Sequence, residues 1–345
     1  MKEKAVYYLK AILNTLHFHQ DFGGKDIFIF SSFRSGSTWL AEIIKSQPKV
    51  KFPISPNKIE FLNHIDSNFK KIKSRPYYIN LTNEEKEKLK EYVLEVSRGE
   101  SIYSRRYIDI LSPAHSFITN RSVFRLLRSN YLLEWFNEEF NIYSILLTRH
   151  PIAASLSRKK VWESAVNPSY WGPKNRYFLN SDYVKNNFLT PELEKFLKMK
   201  NREGTILEKF IISWCLENLP LINKIHPDEN NNYIFLTYED LLMNSQEVIS
   251  YLSEELNLPD KNLMLKKIRK PSSTVRYSDK KTRKNFKNDT YNKDFLLKKW
   301  KKDIPEEMEK KIFDIIDKFE IDIYKKGRFM PVEKYLIGSK IYSLI

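Results

Sequence analysis

The sequence predicts an α/β fold of three layers, in which helices cover both faces of a central, mostly parallel sheet. First, short runs rich in β-branched and aromatic residues alternate with longer helical patterns, as in repeated βα units. Second, 345 residues with 41% hydrophobic content can bury the core of one large α/β domain or of two smaller ones. Third, no internal repeat or low-complexity tract interrupts the alternation. We expect a single domain over residues 1–345.

The individual elements follow from the same alternation. A helix is expected within residues 1–24, and the core is expected to span 26–325. Two segments, 51–80 and 164–204, fit the alternation poorly, which is typical of lids, ligand-binding loops or plain surface loops. The predicted strands are 26–31, 122–127, 142–147 and 232–237, and the predicted helices are 37–46, 83–97, 129–140, 152–163, 205–225, 238–257 and 304–320.

The charge of the chain is strongly positive and unevenly distributed. Lys and Arg number 59 against 43 Asp and Glu, a net charge of +16. Residues 261–302 alone hold sixteen Lys/Arg and three Asp/Glu. Such a segment could bind nucleic acid, an anionic membrane, a polyanionic glycan or a small polyphosphate. A solvated surface segment that binds nothing would have the same composition.

Cysteine content and hydropathy bear on the compartment. The one cysteine, Cys215, lies in an apolar helical pattern, so no disulfide framework is possible and a core thiol in a reducing compartment is expected. No run reaches the roughly 18–20 apolar residues of a membrane span. We expect a cytoplasmic protein whose residues 5–16 form a helix packed on the domain, with peripheral membrane contact as the alternative.

The first candidate site is the turn after the strand 26–31. It reads Ser-Phe-Arg-Ser-Gly-Ser-Thr-Trp-Leu and leads directly into a helical pattern. Backbone N–H groups at a helix N-terminus, the small Gly36 and the charge of Arg34 together suit an anion. The spacing differs from the Gly-x4-Gly-Lys-Ser/Thr loop of nucleotide triphosphatases. A Ser-capped helix without a ligand would account for the same residues.

The second candidate site follows the buried strand 142–147. Arg149 stands where that strand ends, and a helix carrying Ser155 and Ser157 begins directly after it. Ligands of open α/β sheets collect at the carboxyl ends of strands, and an arginine fork matches two phosphate oxygens. Arg149 alone would also suit a surface ion pair, and for His150 we favour a core or solvated histidine.

The two motifs resemble those of the sulfotransferase family. The turn is similar to the family's 5′-phosphosulfate loop, Lys/Arg-Ser/Thr-Gly-Ser/Thr-Thr-Trp, and an Arg-x-Pro turn with a serine eight residues after the arginine is similar to its 3′-phosphate motif. The resemblance implies a P-loop-like turn, 3′-phosphoadenosine 5′-phosphosulfate (PAPS) as the donor, 3′-phosphoadenosine 5′-phosphate (PAP) as the product, and no metal. It assigns donor binding to Arg34, Ser35, Gly36, Ser37, Thr38, Trp39, Arg149 and Ser157.

Weaker similarity extends to the basic segment. Residues 269–276 resemble the loop that closes over the nucleotide in relatives, so the resemblance adds Ser272, Ser273 and Arg276 as 3′-phosphate ligands and makes 261–302 a nucleotide-covering segment. Arg125 and Arg128, at the end of another predicted strand, could line the site or form structural ion pairs.

Sulfuryl transfer requires in-line geometry, charge stabilisation and a base for the acceptor proton. The resemblance places Arg34 on the sulfate and the leaving phosphate, where arginine is a poorer proton donor than lysine. In glycan and tyrosyl sulfotransferases a Glu after the first helix is the base, whereas small-molecule cytosolic enzymes use a histidine farther along. Resemblance to the former implies Glu60 as the first candidate here and His64 as the second. A Glu60 that is simply exposed fits the sequence almost as well.

The acceptor is expected to offer a hydroxyl or an amine, on a glycan or glycolipid. Residues 164–204 are the expected acceptor-side insertion, because flat rings such as Tyr170 and Trp171 can stack on sugars. The competing hypothesis is a nucleic-acid-binding or nucleotide-binding protein without transferase activity. Aromatic residues interleave with the charges of the basic segment and keep that alternative open, although we expect no nucleic acid: they are Tyr277, Phe286, Tyr291 and Trp300.

Overall fold

In the computed structural model of the chain, seven stretches are described. They are residues 18–19, 24–51, 79–97, 118–165, 172–222, 232–272 and 292–337.

Five parallel strands form the central sheet of the described part of the chain. Its strand order is β3, β5, β2, β6, β7, with every neighbouring pair parallel, and a separate two-residue pairing joins β1 to β4. The strands are β1 (Phe18–His19), β2 (Ile27–Ser31), β3 (Val50–Lys51), β4 (Ile118–Thr119), β5 (Arg121–Leu127), β6 (Tyr143–Thr148) and β7 (Ile234–Thr237).

The helices cover both faces of this sheet. They are α1 (Ser37–Ile44), α2 (Asn83–Ser97), α3 (Leu133–Glu139), α4 (Pro151–Ser164), α5 (Asn175–Leu179), α6 (Asp182–Phe188), α7 (Pro191–Glu203), α8 (Ile206–Ile222), α9 (Tyr238–Met243), α10 (Ser245–Glu255), α11 (Lys261–Ile268), α12 (Lys293–Lys298) and α13 (Glu306–Asp317).

Alternating residues of each strand enter two separate cores. In β2, Phe28 and Phe30 pack in the core that contains α4, α8 and α13, whereas Ile27 and Ile29 pack in the core that contains α1, α10 and α11. All four side chains are at most 1% exposed. A strand buried on both faces is apolar at every position, which is why the run is continuous in the sequence. The predicted three-layer α/β fold is therefore confirmed.

The predicted insertion over 164–204 is helical where the structure describes it. Residues 175–203 form α5, α6 and α7, and the side chains of Ser181 and Thr190 accept hydrogen bonds from backbone N–H groups at the starts of α6 and α7. These short helices lack a long apolar period, so composition alone suggested a loop.

The helix expected within residues 1–24 stays a prediction, because residues 1–17 and 20–23 lie outside the described residues; the described pair, residues 18–19, forms β1. The single helix predicted over 238–257 is two helices, because Asn244 leaves helical geometry with φ −103° and ψ 42°. The Asn244 amide donates to Asp240 Oδ1 at 2.7 Å, and Asp240 Oδ2 accepts the N–H of Ile337 at 2.8 Å. The Asp240 carboxylate thus links the residue at the break to the distant Ile337.

The strand order places a topological switch at β2. The chain runs from β2 to β3 and β5 on one side of the sheet and then to β6 and β7 on the other. Crevices at the carboxyl ends of strands open at such points. Both sequence motifs, one after β2 and one after β6, therefore meet at one edge.

Candidate functional site

The turn after β2 presents backbone N–H groups at the start of α1. The N–H groups of Trp39 and Leu40 donate to the Gly36 carbonyl at 2.9 and 3.2 Å, so the helical bonding begins there. The preceding N–H groups, those of Ser37 and Thr38, come before the first helical hydrogen bond and face out of the helix N-terminus. The turn has the geometry of an anion cradle.

Two residues of the turn have left-handed backbone geometry. Gly36 has φ 95° and Arg34 has φ 68°. A Cβ at Gly36 would lie 2.6 Å from Cδ2 of Tyr238, so the ring of Tyr238 occupies the space that a larger residue would need. The turn therefore closes directly on the first residue of α9.

Arg34 joins the two motifs. Its Nε donates to Ser157 Oγ at 2.9 Å, and its carbonyl accepts from Arg149 Nη1 at 3.2 Å. The motif residues, 115 positions apart between Arg34 and Arg149 (149 − 34), are thus in direct contact. The structure brings together the side chains that the sequence assigned to the two phosphate sites.

This arrangement concentrates positive charge. Burial, and then the charge of the neighbouring Arg149, lower the pKa of Arg34 from its ordinary value. Two guanidinium groups that repel each other in a partly buried site are stabilised when an anion binds between or beside them. The burial of Arg34 and its repulsion by Arg149 therefore both favour binding of a negatively charged ligand.

Further polar groups surround the turn. Arg125 donates to the Thr38 hydroxyl, which places this arginine of β5 at the turn, one of the two possibilities that the sequence left open. The hydroxyl of Ser35 is buried and has no hydrogen-bond partner within the described part of the chain. A buried hydroxyl of this kind is available to a ligand oxygen.

The other end of the turn is closed by α11 and the residues after it. Trp39 Nε1 donates to the carbonyl of Lys270 at 3.1 Å, and the Trp39 and Tyr238 rings lie 5.6 Å apart. Ser272, two residues beyond Lys270, is buried. The start of the predicted nucleotide-covering segment therefore lies against the turn.

Arg149 is held by aromatic residues. Its guanidinium lies 4.2 Å from the centroid of the Tyr238 ring, and its carbonyl accepts from Trp214 Nε1 at 3.1 Å. His150 is fully buried, with its ring 4.5 Å from that of Trp300. Burial lowers the pKa of His150 to about 3, so it is a neutral core histidine.

Several predicted residues cannot be placed. Glu60, His64, Ser273 and Arg276 lie outside the described residues, and their roles stay predictions. Among the residues that are described, no three His, Cys, Asp or Glu side chains group together as metal ligands, and no helix is long and apolar enough to cross a membrane.

Two residues that shape the site are not among the candidates predicted from the sequence. Tyr238 stacks on Arg149 and fills the space beside Gly36, and Trp214 of α8 bonds to the Arg149 carbonyl. Tyr238 is the first residue after β7, and a residue at the carboxyl end of a strand could have been included on that signal. Trp214 lies inside a continuous apolar helix, where no local pattern distinguishes it.

Comparisons with solved structures find sulfotransferases at low identity. The sulfotransferase domain of the Synechococcus PCC 7002 olefin synthase is 18% identical, covers 88% of this chain and 99% of its own, and has a TM-score of 0.40. Mouse sulfotransferase SULT7A1 complexed with PAP is 14% identical over 92% and 90% of the two chains, with a TM-score of 0.38. Retinol dehydratase complexed with androsterone and PAP is 16% identical over 93% and 88%, with a TM-score of 0.35.

Comparisons of sequence give a more decisive result. No curated protein sequence matches the chain significantly. The sequence model of the sulfotransferase domain, however, matches residues 24–320, which include both motifs, the whole central sheet and the helices that position the site. The chain therefore belongs to the sulfotransferase family.

Proposed function

We propose that this sulfotransferase uses PAPS as its donor and binds it across the turn after β2 and the end of β6. The observation that carries the proposal is the direct contact of Arg34 with both Ser157 and Arg149. A donor with a phosphate at each end needs two anion sites at a fixed separation. The two motifs supply them at one edge of the sheet.

The residues present suit the two ends of that donor. The N–H groups at the start of α1, with the hydroxyls of Ser35, Ser37 and Thr38, match the oxygens of a 5′-phosphosulfate. Arg149 and Ser157 match a 3′-phosphate, which distinguishes the donor from a plain adenylate. The ring of Tyr238 lies beside both the turn and Arg149, and the Trp39 ring lies 5.6 Å from it.

Arg34 is proposed to stabilise charge during transfer. Fixed N–H and guanidinium donors reduce the barrier when they face oxygens whose negative charge grows, and the turn holds them in place before the reaction begins. In-line transfer also needs a base that removes the acceptor proton. Glu60 is the first candidate for that base and His64 the second.

For the acceptor we propose a hydroxyl or amine of a glycan or glycolipid. Support comes from the resemblance to glycan sulfotransferases and from Tyr170 and Trp171 in the insertion, whose rings suit sugar faces. Both aromatic residues lie outside the described residues.

Calorimetric titration with PAP, ADP and 5′-AMP tests the donor site. We expect PAP to bind more tightly than either control, and Arg149→Ala to remove most of that preference, because the proposed role of this arginine is to bind the 3′-phosphate. Equal binding of the three nucleotides by folded protein would contradict the proposal. Salt-sensitive binding of RNA or DNA by the same sample would instead support the nucleic-acid hypothesis.

Transfer of label from PAPS tests the base and the acceptor. A panel of polysaccharides, glycolipids, phenols and peptides should show incorporation into a glycan or glycolipid. Glu60→Gln and His64→Ala, assayed at saturating donor, should identify the base by a loss of turnover in one of them. Near-normal turnover in both variants would exclude both residues from that role.

A further inference from the structure

One peptide group next to the site is fixed at both ends. The carbonyl of Arg149 accepts from Trp214 Nε1 at 3.1 Å, and the N–H of His150, which belongs to the same peptide group, donates to Glu239 Oε1 at 3.1 Å. A planar peptide bonded on both edges cannot rotate. The bond from the Arg149 Cα to its side chain therefore has a fixed direction.

Glu239 is itself held rigidly. Its side chain is 3% exposed, and its second oxygen accepts from the Tyr324 hydroxyl at 2.7 Å. Burial raises the pKa of Glu239, while the charge of Arg149 and the bonds from Tyr324 and His150 act in the opposite direction. The Glu239 carboxylate is therefore held on one side by the Arg149–His150 peptide and on the other by Tyr324.

The adjacent residue completes the arrangement. Tyr238, which precedes Glu239 at the start of α9, places its ring 4.2 Å from the Arg149 guanidinium. One residue of α9 thus supports the charged end of Arg149 and the next fixes its backbone. A long, flexible side chain held at both ends loses little further entropy when it binds an anion.

We infer that Glu239, together with Trp214, is a positioning residue for Arg149 and thereby sets the preference for a 3′-phosphorylated nucleotide. The inference rests on the proposed function, since it assumes that Arg149 binds the 3′-phosphate. Glu239 does not touch the ligand. It acts through the Arg149–His150 peptide, so its effect is confined to the 3′-phosphate contribution to binding.

The test compares dissociation constants for PAP and 5′-AMP in Glu239 variants. Glu239→Ala frees the peptide and should weaken PAP binding on the order of tenfold, with little change for 5′-AMP. Glu239→Gln keeps an oxygen for the His150 N–H and an amide that can donate to the Tyr324 hydroxyl. It should therefore recover most of the PAP preference.

A second variant keeps the test decisive if Glu239→Ala does not fold. Trp214→Phe keeps an aromatic ring but removes the N–H that bonds to the Arg149 carbonyl, so it should reduce the PAP preference in the same direction. Glu309→Ala is the matched control, because Glu309 is also fully buried and accepts a backbone N–H, that of Gly327 at 2.8 Å. It should lower the melting temperature and leave the PAP preference intact.

The outcomes separate the two proposals. A wild-type protein that binds PAP and 5′-AMP equally would overturn the proposed donor site. If the wild-type protein prefers PAP over 5′-AMP and whichever of Glu239→Ala and Trp214→Phe folds keeps that preference, only the positioning role is overturned. Loss of the preference in Glu309→Ala as well would attribute the effect to general loosening and also overturn it.

Discussion

At the scale of single residues, position 36 requires glycine for two separate reasons. Its φ of 95° is a backbone geometry that glycine adopts freely, and its missing Cβ leaves room for the Tyr238 ring. Any side chain there would distort the turn and displace the aromatic support of Arg149 together. One substitution should thus disturb both proposed phosphate sites.

Gly36→Ala should weaken PAP binding by about tenfold or more, because the new Cβ would meet Cδ2 of Tyr238 at 2.6 Å. Gly327→Ala is the control: Gly327 has φ 76° but no atom within 4 Å of an added Cβ. It should lose about 1–2 kcal/mol of unfolding free energy and keep its PAP affinity. Calorimetry and urea denaturation measure the two effects, and equal PAP affinity in Gly36→Ala and wild type would contradict this account.

His150 gives a prediction about pH. Its pKa falls from an ordinary 6.5 to about 3 through burial, so between these values the unfolded chain binds a proton that the folded protein does not. The unfolding free energy should therefore decrease as pH falls, by about 2 kcal/mol between pH 7 and pH 5 from this residue. In urea denaturation, the unfolding free energy of His150→Phe should decrease less between pH 7 and pH 5, by the amount that His150 contributes. Identical slopes in both proteins would show that His150 does not titrate in this way.

At the scale of elements, α4 and α8 are joined by an ion pair in the core. Arg158 Nη2 lies 2.9 Å from Glu217 Oε1, and the two side chains are 3% and 1% exposed. Removing one partner of a buried pair leaves an uncompensated charge, which costs far more than losing an exposed pair. Since α4 also carries Ser157, this ion pair helps to hold the second motif in position against α8.

Glu217→Leu should lower the unfolding free energy by about 3–5 kcal/mol, because the buried Arg158 charge loses the Glu217 carboxylate. Arg158→Met combined with Glu217→Leu should recover much of that loss. Lys198→Ala breaks the exposed pair with Glu194 and should cost less than about 1 kcal/mol. Denaturant titration of the three proteins provides the comparison; a double variant as unstable as Glu217→Leu alone would argue against a buried charge as the cause.

Elements with a strong local signal were predictable, and contacts between distant elements were not. The strand predicted at 26–31 is observed as Ile27–Ser31 because a strand buried on both faces is a continuous apolar run. The contact of Arg34 with Ser157 could be anticipated only through the family motifs. The stack of Tyr238 on Arg149 joins residues that follow different strands, and the contact of Ile337 with Asp240 joins residues far apart in the chain, so neither has a local signature.

At the scale of the whole molecule, part of the positive charge lies close to the proposed donor site. Lys266, Arg269 and Lys270 are exposed at the end of α11, next to the contact between Lys270 and Trp39. The charge excess of the sequence thus includes a surface at the mouth of the proposed donor site. Charges so placed attract an anionic nucleotide before it makes contact.

Replacing Lys266, Arg269 and Lys270 together by Gln should slow PAP association by about tenfold at low ionic strength, and the difference should shrink as salt is added. Lys310 and Lys311 are exposed on α13, which packs in the opposite core, and their replacement by Gln is the control. Stopped-flow measurements over a range of salt concentrations would show the effect. Equal association rates for both variants would mean that the α11 surface has no steering role.

The packing of Tyr238 against Gly36 also limits how related sequences can diverge. A smaller residue at position 238 would remove the clash with a side chain at position 36, but the backbone at φ 95° would still favour glycine there. Position 36 follows β2 and position 238 follows β7, so the two are distant in the chain. Related sequences with this turn should therefore keep glycine at position 36 even where the residue at position 238 varies.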